Sequence, residues 1–180
     1  EAMESNNGSS NQAFGRRALY VNTTGTENSA FGYLALDSNT TGSYNVAVGN
    51  NALGANTTAS NNTALGTSAL AANTTGAQNT AVGYLASDAI TTGSNNSSLG
   101  YEALSKLTTG GDNTAMGRAA ALDVTTASGN VAMGVEALEN NSTGDNNVAI
   151  GKQAARGSSM TGSANTAVGV FAGYGLTTGG

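Results

Sequence analysis

The chain has 180 residues, a net charge of −5, only 9% charged and 5% aromatic residues, and no Cys, His, Trp or Pro. Without Cys and His it holds neither a disulfide framework nor a thiolate or imidazole metal centre, and a His-based catalytic triad is impossible. Six Lys and Arg spread along the chain make no basic patch for nucleic acid, and no apolar run nears the ~20 residues of a membrane span.

Leu, Ile, Val and Phe together make up under one-sixth of the residues, a composition that alone reads as disordered or low-complexity. A strict period overturns that reading. In chain order, residues 1–10 end in "NNGSS", which matches the close of a repeat begun earlier. Residues 11–164 hold nine repeats, each opening on an Asn before a small-apolar-Gly triplet, and residues 165–180 are a last, incomplete one. The opening residues are Asn11, Asn28, Asn45, Asn62, Asn79, Asn96, Asn113, Asn130, Asn147 and Asn165, spaced by 17 residues eight times and then by 18. Such a period marks a solenoid or array. Both ends fall inside a repeat, so the segment is expected to be one continuous domain of a longer fibre, or to stack end to end into a filament.

Positions are numbered from the opening Asn. Position five is Gly in every copy: Gly15, Gly32, Gly49, Gly66, Gly83, Gly100, Gly117, Gly134, Gly151 and Gly169. Position eight is always Ala, position three is Ala except at Ser98, and position four is a larger apolar residue, from Phe14 and Phe31 to Ile150 and Val168. Positions thirteen to fifteen usually spell Thr-Thr-Gly, with Ala59 and Ala127 replacing Gly. Positions six, seven, ten and eleven vary and carry most charges and tyrosines, which places them outside.

A 17-residue unit without helical apolar spacing is too short for a helix pair. Short extended segments broken by Gly and Asn turns fit instead. Each repeat is then one coil of an all-β, parallel β-solenoid, and about ten coils at ~4.8 Å make a rod roughly 50 Å long. The repeated Asn is expected to form a hydrogen-bonded ladder. The invariant Gly is expected to need a positive φ or a close backbone approach. Positions nine and twelve share one core volume: Leu36 accompanies Asn39, whereas Ser87, Ala121 and Gly173 accompany Ile90, Val124 and Leu176. Leu104 with Leu107 carries both, and Ala155 with Ser158 neither, a gap that Met160 is expected to fill. Because neighbours on a strand point to opposite faces, apolar residues at both three and four predict one dry face inside the coil and another against a lateral partner.

The stretch "NNVAIGKQA" at 146–154, with "NTAVGYLA" and "NVAMGVEA", is similar to the NSVAIG-type head repeats of YadA-like trimeric autotransporter adhesins. Gly151 to Ala154 and the Thr-Thr-Gly corner follow the order of those repeats, and the likeness recurs in all ten copies. The resemblance implies a left-handed roll and a homotrimer. The repeats are longer than the ~14 residues typical of that family, so the outer part of each coil should be longer. Similar arrays also resemble those in phage and virus tail fibres.

No cofactor or metal site is expected. Asp37, Asp88 and Glu139 at position ten and Glu102 and Glu136 at position seven read as solvated surface. "GYGLTTGG" is the tenth repeat, with no helix after it to receive a phosphate, and Gly110-Gly111-Asp112 is too isolated for a calcium solenoid. Asn22, Asn39, Asn56 and Asn73 open Asn-Thr-Thr sequons, which the repeat itself generates. Tyr33, Tyr84 and Tyr101 share position six and form a candidate exposed binding stripe, interrupted by Arg16, Asn50 and Thr67. Thr ranks raise an ice-binding alternative, although adjacent Thr residues would point to opposite faces. The overall expectation is a non-enzymatic, extracellular fibre segment on a bacterial surface, with itself and a cell-surface, matrix or glycan ligand as partners. It has no expected contact with nucleic acid or membrane. A virion tail-fibre shaft is the alternative.

Overall fold

The structure is a computed structural model that describes residues 1–157 and 161–177. Ten three-residue strands stack in sequence order into one parallel sheet. They are β1 Gln12–Phe14, β2 Ser29–Phe31, β3 Val46–Val48, β4 Thr63–Leu65, β5 Thr80–Val82, β6 Ser97–Leu99, β7 Thr114–Met116, β8 Val131–Met133, β9 Val148–Ile150 and β10 Thr166–Val168. Like positions sit side by side, Ala30 against Ala47 and Phe31 against Val48. The described residues contain no helix. The chain is thus a β-solenoid with one strand per turn, here called a rung and given its strand's number.

Each strand spans positions two to four, and position five makes the first corner. All ten glycines there have φ between +125° and +146°. A Cβ added to Gly83 would lie 2.3 Å from the carbonyl oxygen of Gly100, one rung ahead. Positive φ and close approach act together at this position, and the positive φ is what sets it apart. Position fifteen differs: its glycines have no positive φ, and Ala59 and Ala127 occupy it while buried.

Three further corners use the left-handed region without glycine. In the second repeat these are Leu34 (φ 60°), Leu36 (φ 51°) and Tyr44 (φ 60°), at positions seven, nine and seventeen. Such a conformation costs roughly 1–2 kcal/mol per L-residue. At position nine the cost is offset by burial, because Leu19, Leu36, Leu53 and Leu70 are fully inside. The backbone links follow the same path: the Leu36 N–H donates to Ala52 O at 3.1 Å and the Gly100 N–H to Val82 O at 2.8 Å.

The interior has an apolar side and an amide side. Alanines of positions three and eight and the residue of position nine make the first. Buried asparagines make the second. Ile90, Leu107 and Val124 replace Asn at position twelve and are fully buried, beside Ser87, Leu104 and Ala121. The volume is shared across rungs as well as within one, since Leu104 and Leu107 fit together where Ser87 and Ala121 on the neighbouring rungs are small. Ser87 and Ser98 join their hydroxyls at 2.8 Å, so these two departures from the repeat satisfy each other. The extra residue of the ninth repeat falls between Ala155, which donates to Ala172 O, and Gly162, whose carbonyl accepts from Asn147 Nδ2. Ser158 and Met160 lie outside the described residues.

Candidate functional site: the outer face of the sheet and its edges

The two amide files set the shape of every rung. Along position one, the backbone N–H of each Asn donates to the side-chain oxygen of the Asn one rung earlier, as from Asn28 to Asn11 at 2.9 Å and from Asn165 to Asn147 at 2.9 Å. Asn45, Asn62, Asn79, Asn96, Asn113, Asn130 and Asn147 continue the file. Their Nδ2 groups also reach the corner carbonyl of position fifteen, Asn28 to Gly42 at 2.8 Å.

The sequence reading missed a second file at position twelve. Asn39 Nδ2 donates to Asn22 Oδ1 at 2.8 Å and to the same Gly42 carbonyl at 3.0 Å. The corner carbonyl is thereby held by two amides. Asn56 and Asn73 extend this file, which stops where Ile90 begins. Asn73 Oδ1 is accordingly buried without a donor. Recurrence of Asn at position twelve was the available signal. The same geometry bears on the four sequons: Asn22, Asn39, Asn56 and Asn73 are 0% exposed, with their amide nitrogens engaged inward.

Position three points inward, so positions two and four form the outer face. Phe14 (75% exposed), Leu65 (47%), Leu99 (46%), Met116 (46%) and Ile150 (38%) head a continuous apolar file along it. Position two adds residues such as Val46, Thr80 and Thr114. None of the twenty residues at these two positions is charged. A shallow notch of about 230 Å³ opens in mid-face among Val82, Leu99 and Met116. Contiguous exposed apolar patches of more than a few hundred Å² are uncommon on isolated soluble chains.

Beyond the Gly corner, position six makes one edge of this face. Tyr33, Tyr84 and Tyr101 are all exposed there. Tyr84 and Tyr101 stack with centroids 5.5 Å apart, while Tyr33 lies away from them beneath Arg16, at 5.7 Å. The three tyrosines thus form one pair and one separate cation–π contact. A hydrogen bond to Glu102 raises the Tyr101 phenol above its usual range.

Charges away from the face are mostly paired. Arg17 meets Asp37 at 3.0 Å, Lys106 meets Asp123, and Glu136 is shared by Arg118 and Arg156. Hydrogen bonds from Gln153 and Arg118 hold the Glu136 carboxyl below its ordinary range. Burial raises Asp88, whose Oδ1 has no hydrogen-bond donor. Among the described residues no cluster of three or more Asp and Glu could hold a metal ion, and no helix is long and apolar enough to cross a membrane.

The threonine corner divides its hydroxyls. Those of position thirteen donate to the next rung's backbone, as Thr40 does to Thr57 O at 2.9 Å and Thr74 to Thr91 O at 3.0 Å. Position fourteen, from Thr24 to Thr143, is exposed throughout. A single file of hydroxyls therefore faces water at this corner. No family model, curated protein or solved structure matches this chain.

Proposed function

We propose that the chain is a non-enzymatic structural and adhesive segment of an extracellular fibre, on a cell surface or a virion. In this reading copies of the chain associate side by side, as a homotrimer, and exposed corners attach to a cell-surface, matrix or glycan ligand. The observation that carries the reading is the uncharged, apolar outer face along the whole rod. Burying it between copies removes the solvent exposure of the position-four side chains, and each fully buried one contributes about 1.5–3 kcal/mol. The stacked Tyr84–Tyr101 pair, at the rim of that face, supplies a rigid amphipathic contact for a ligand.

Presenting the purified segment to cultured cells, immobilised matrix and glycans tests the adhesive part. Retention is expected, and it should fall when Tyr84 and Tyr101 are both replaced by Ser. Absence of retention of the unmodified segment would overturn attachment and leave a spacer, as in a tail-fibre shaft.

A further inference from the structure

The outer face is uncharged, but its two edges are charged with opposite signs. On the trailing edge, position six carries Arg16, Arg118 and Lys152 and no acid in any repeat. On the leading edge, positions sixteen and seventeen carry Glu27, Asp112 and Asp145 and no base. All six side chains are exposed. Among the described residues Lys152 makes no ion pair, and the Asp145 carboxylate accepts only a backbone N–H, from Ser128 at 2.7 Å, through Oδ1.

The rungs at which these charges sit are informative. Asp112 and Arg118 flank β7, and Asp145 and Lys152 flank β9; Arg16 follows β1, whereas Glu27 precedes β2. Within one chain the members of a pair are on opposite edges of a strand, at least about 10 Å apart by strand rise. Arg118 already meets Glu136 within its own chain, so Lys152 and Asp145 are the pair most clearly placed to meet another copy, with Arg118 and Asp112 as a second, shared contact. When copies surround an axis parallel to the rod, the trailing edge of one faces the leading edge of the next. With no axial shift, Lys152 meets Asp145 and Arg118 meets Asp112. Any shift by whole rungs aligns at most one oppositely charged pair. Turning one copy end for end sets cations against cations.

Resting on the lateral association proposed above, we infer that the copies pack parallel and in register, with Lys152 of one copy against Asp145 of the next as a register-setting ion pair. The uncharged face supplies attraction without preferring a register, because its side chains vary little in kind from rung to rung. The edge charges supply the selection, as charges at an interface rim do elsewhere.

The test uses the unmodified protein, whose only lysines are Lys106 and Lys152. An equal mixture of ¹⁴N and ¹⁵N protein is treated with a carbodiimide, which joins an amine to a carboxylate it touches as an amide, with loss of water. Peptide mapping is expected to find Lys152 joined to Asp145 with mixed isotopes, hence between copies. Reversing one charge, as Lys152→Asp or Asp145→Lys, should shift the assembly midpoint to higher protein concentration, and the double exchange should restore it. Light scattering separates the two levels of the argument. A multimer in which Lys152 links to Asp112 or Glu27, or to no carboxylate, overturns the in-register arrangement alone. A monomer at every concentration overturns the lateral association beneath it.

Discussion

Replacing Gly83 by Ala tests why position five never varies. The new Cβ would lie 2.3 Å from Gly100 O and 2.7 Å from Gly100 C, both backbone atoms of the next rung. To reach ordinary contact the two rungs must separate by about 1 Å, which stretches the 2.8 Å bond from Gly100 N–H to Val82 O beyond hydrogen-bond range. Two such links, the second from Glu102 N–H to Tyr84 O, are worth about 0.5–1.5 kcal/mol each. Holding Ala at φ +139° adds about 1–3 kcal/mol. The sum is a loss of roughly 2–6 kcal/mol, partly reduced by the lower entropy of an unfolded Ala. Gly76→Ala provides the control. Its added Cβ also crowds a carbonyl, Gly93 O at 2.1 Å, but its φ is not positive, and Ala59 and Ala127 show that rungs accommodate Ala there. Its cost should be about 1 kcal/mol or less. Because stability in a stacked rod is local to each interface, hydrogen exchange is the suitable assay. Gly83→Ala should deprotect the Gly100 and Glu102 amides while Gly32 and Gly49 keep their protection. Equal losses in the two variants would refute the assignment of strain to position five.

Ile90→Asn gives Asn73 Oδ1 a donor but leaves an apolar volume empty beside Ser87, so denaturant unfolding should show a net loss of about 1–3 kcal/mol. Adding Ser87→Leu and Ser98→Ala, which restores the majority repeat, should recover most of it. Asp88 has a raised pKa, so its ionisation opposes folding: the penalty is absent below its unfolded pKa and fully present above its folded one. Asp88→Asn should therefore raise the melting temperature at pH 7 and have little effect at pH 3. Glu136 runs the other way, with a lowered folded pKa; its contribution is present above the unfolded value and lost as pH falls through the folded one. Glu136→Gln should thus narrow the difference in melting temperature between pH 7 and pH 3. Deletion of residues 62–78 should give a folded rod one rung shorter by small-angle scattering, whereas deletion of 62–66 should abolish the folded product. Thermal hysteresis in ice growth should be absent, because the position-thirteen hydroxyls are already spent on backbone carbonyls.

Much of the fold was legible because a period of 17 residues states which residues stack. Invariant Gly and Ala marked backbone contact and core, and two adjacent apolar positions announced apolar side chains on both faces of the strand. The left-handed conformations at Leu34, Leu36 and Tyr44 were not legible, since these residue types argue against them and only the closed rung imposes them. The second amide file was overlooked because Asn39 was read only as the small partner of Leu36, when its amide also holds the Gly42 carbonyl. The tyrosines shared a position in sequence, yet only Tyr84 and Tyr101 occupy consecutive rungs, which is what stacking requires. The sign separation of the edges emerged only once Gly83 and its equivalents were seen to turn position six away from the strand.

The central claim is that the uncharged outer face is buried between copies. Sedimentation equilibrium of the unmodified segment and of Leu99→Lys, over a wide concentration range, addresses it directly. Leu99 is an exposed residue at the middle of the face; its replacement leaves the interior of the rung intact while putting a charge on the face proposed to join copies. The account predicts a mass near three times 17.6 kDa for the unmodified protein and dissociation toward a folded monomer for the variant. A monomer in both cases, or an unchanged multimer in the variant, would contradict it.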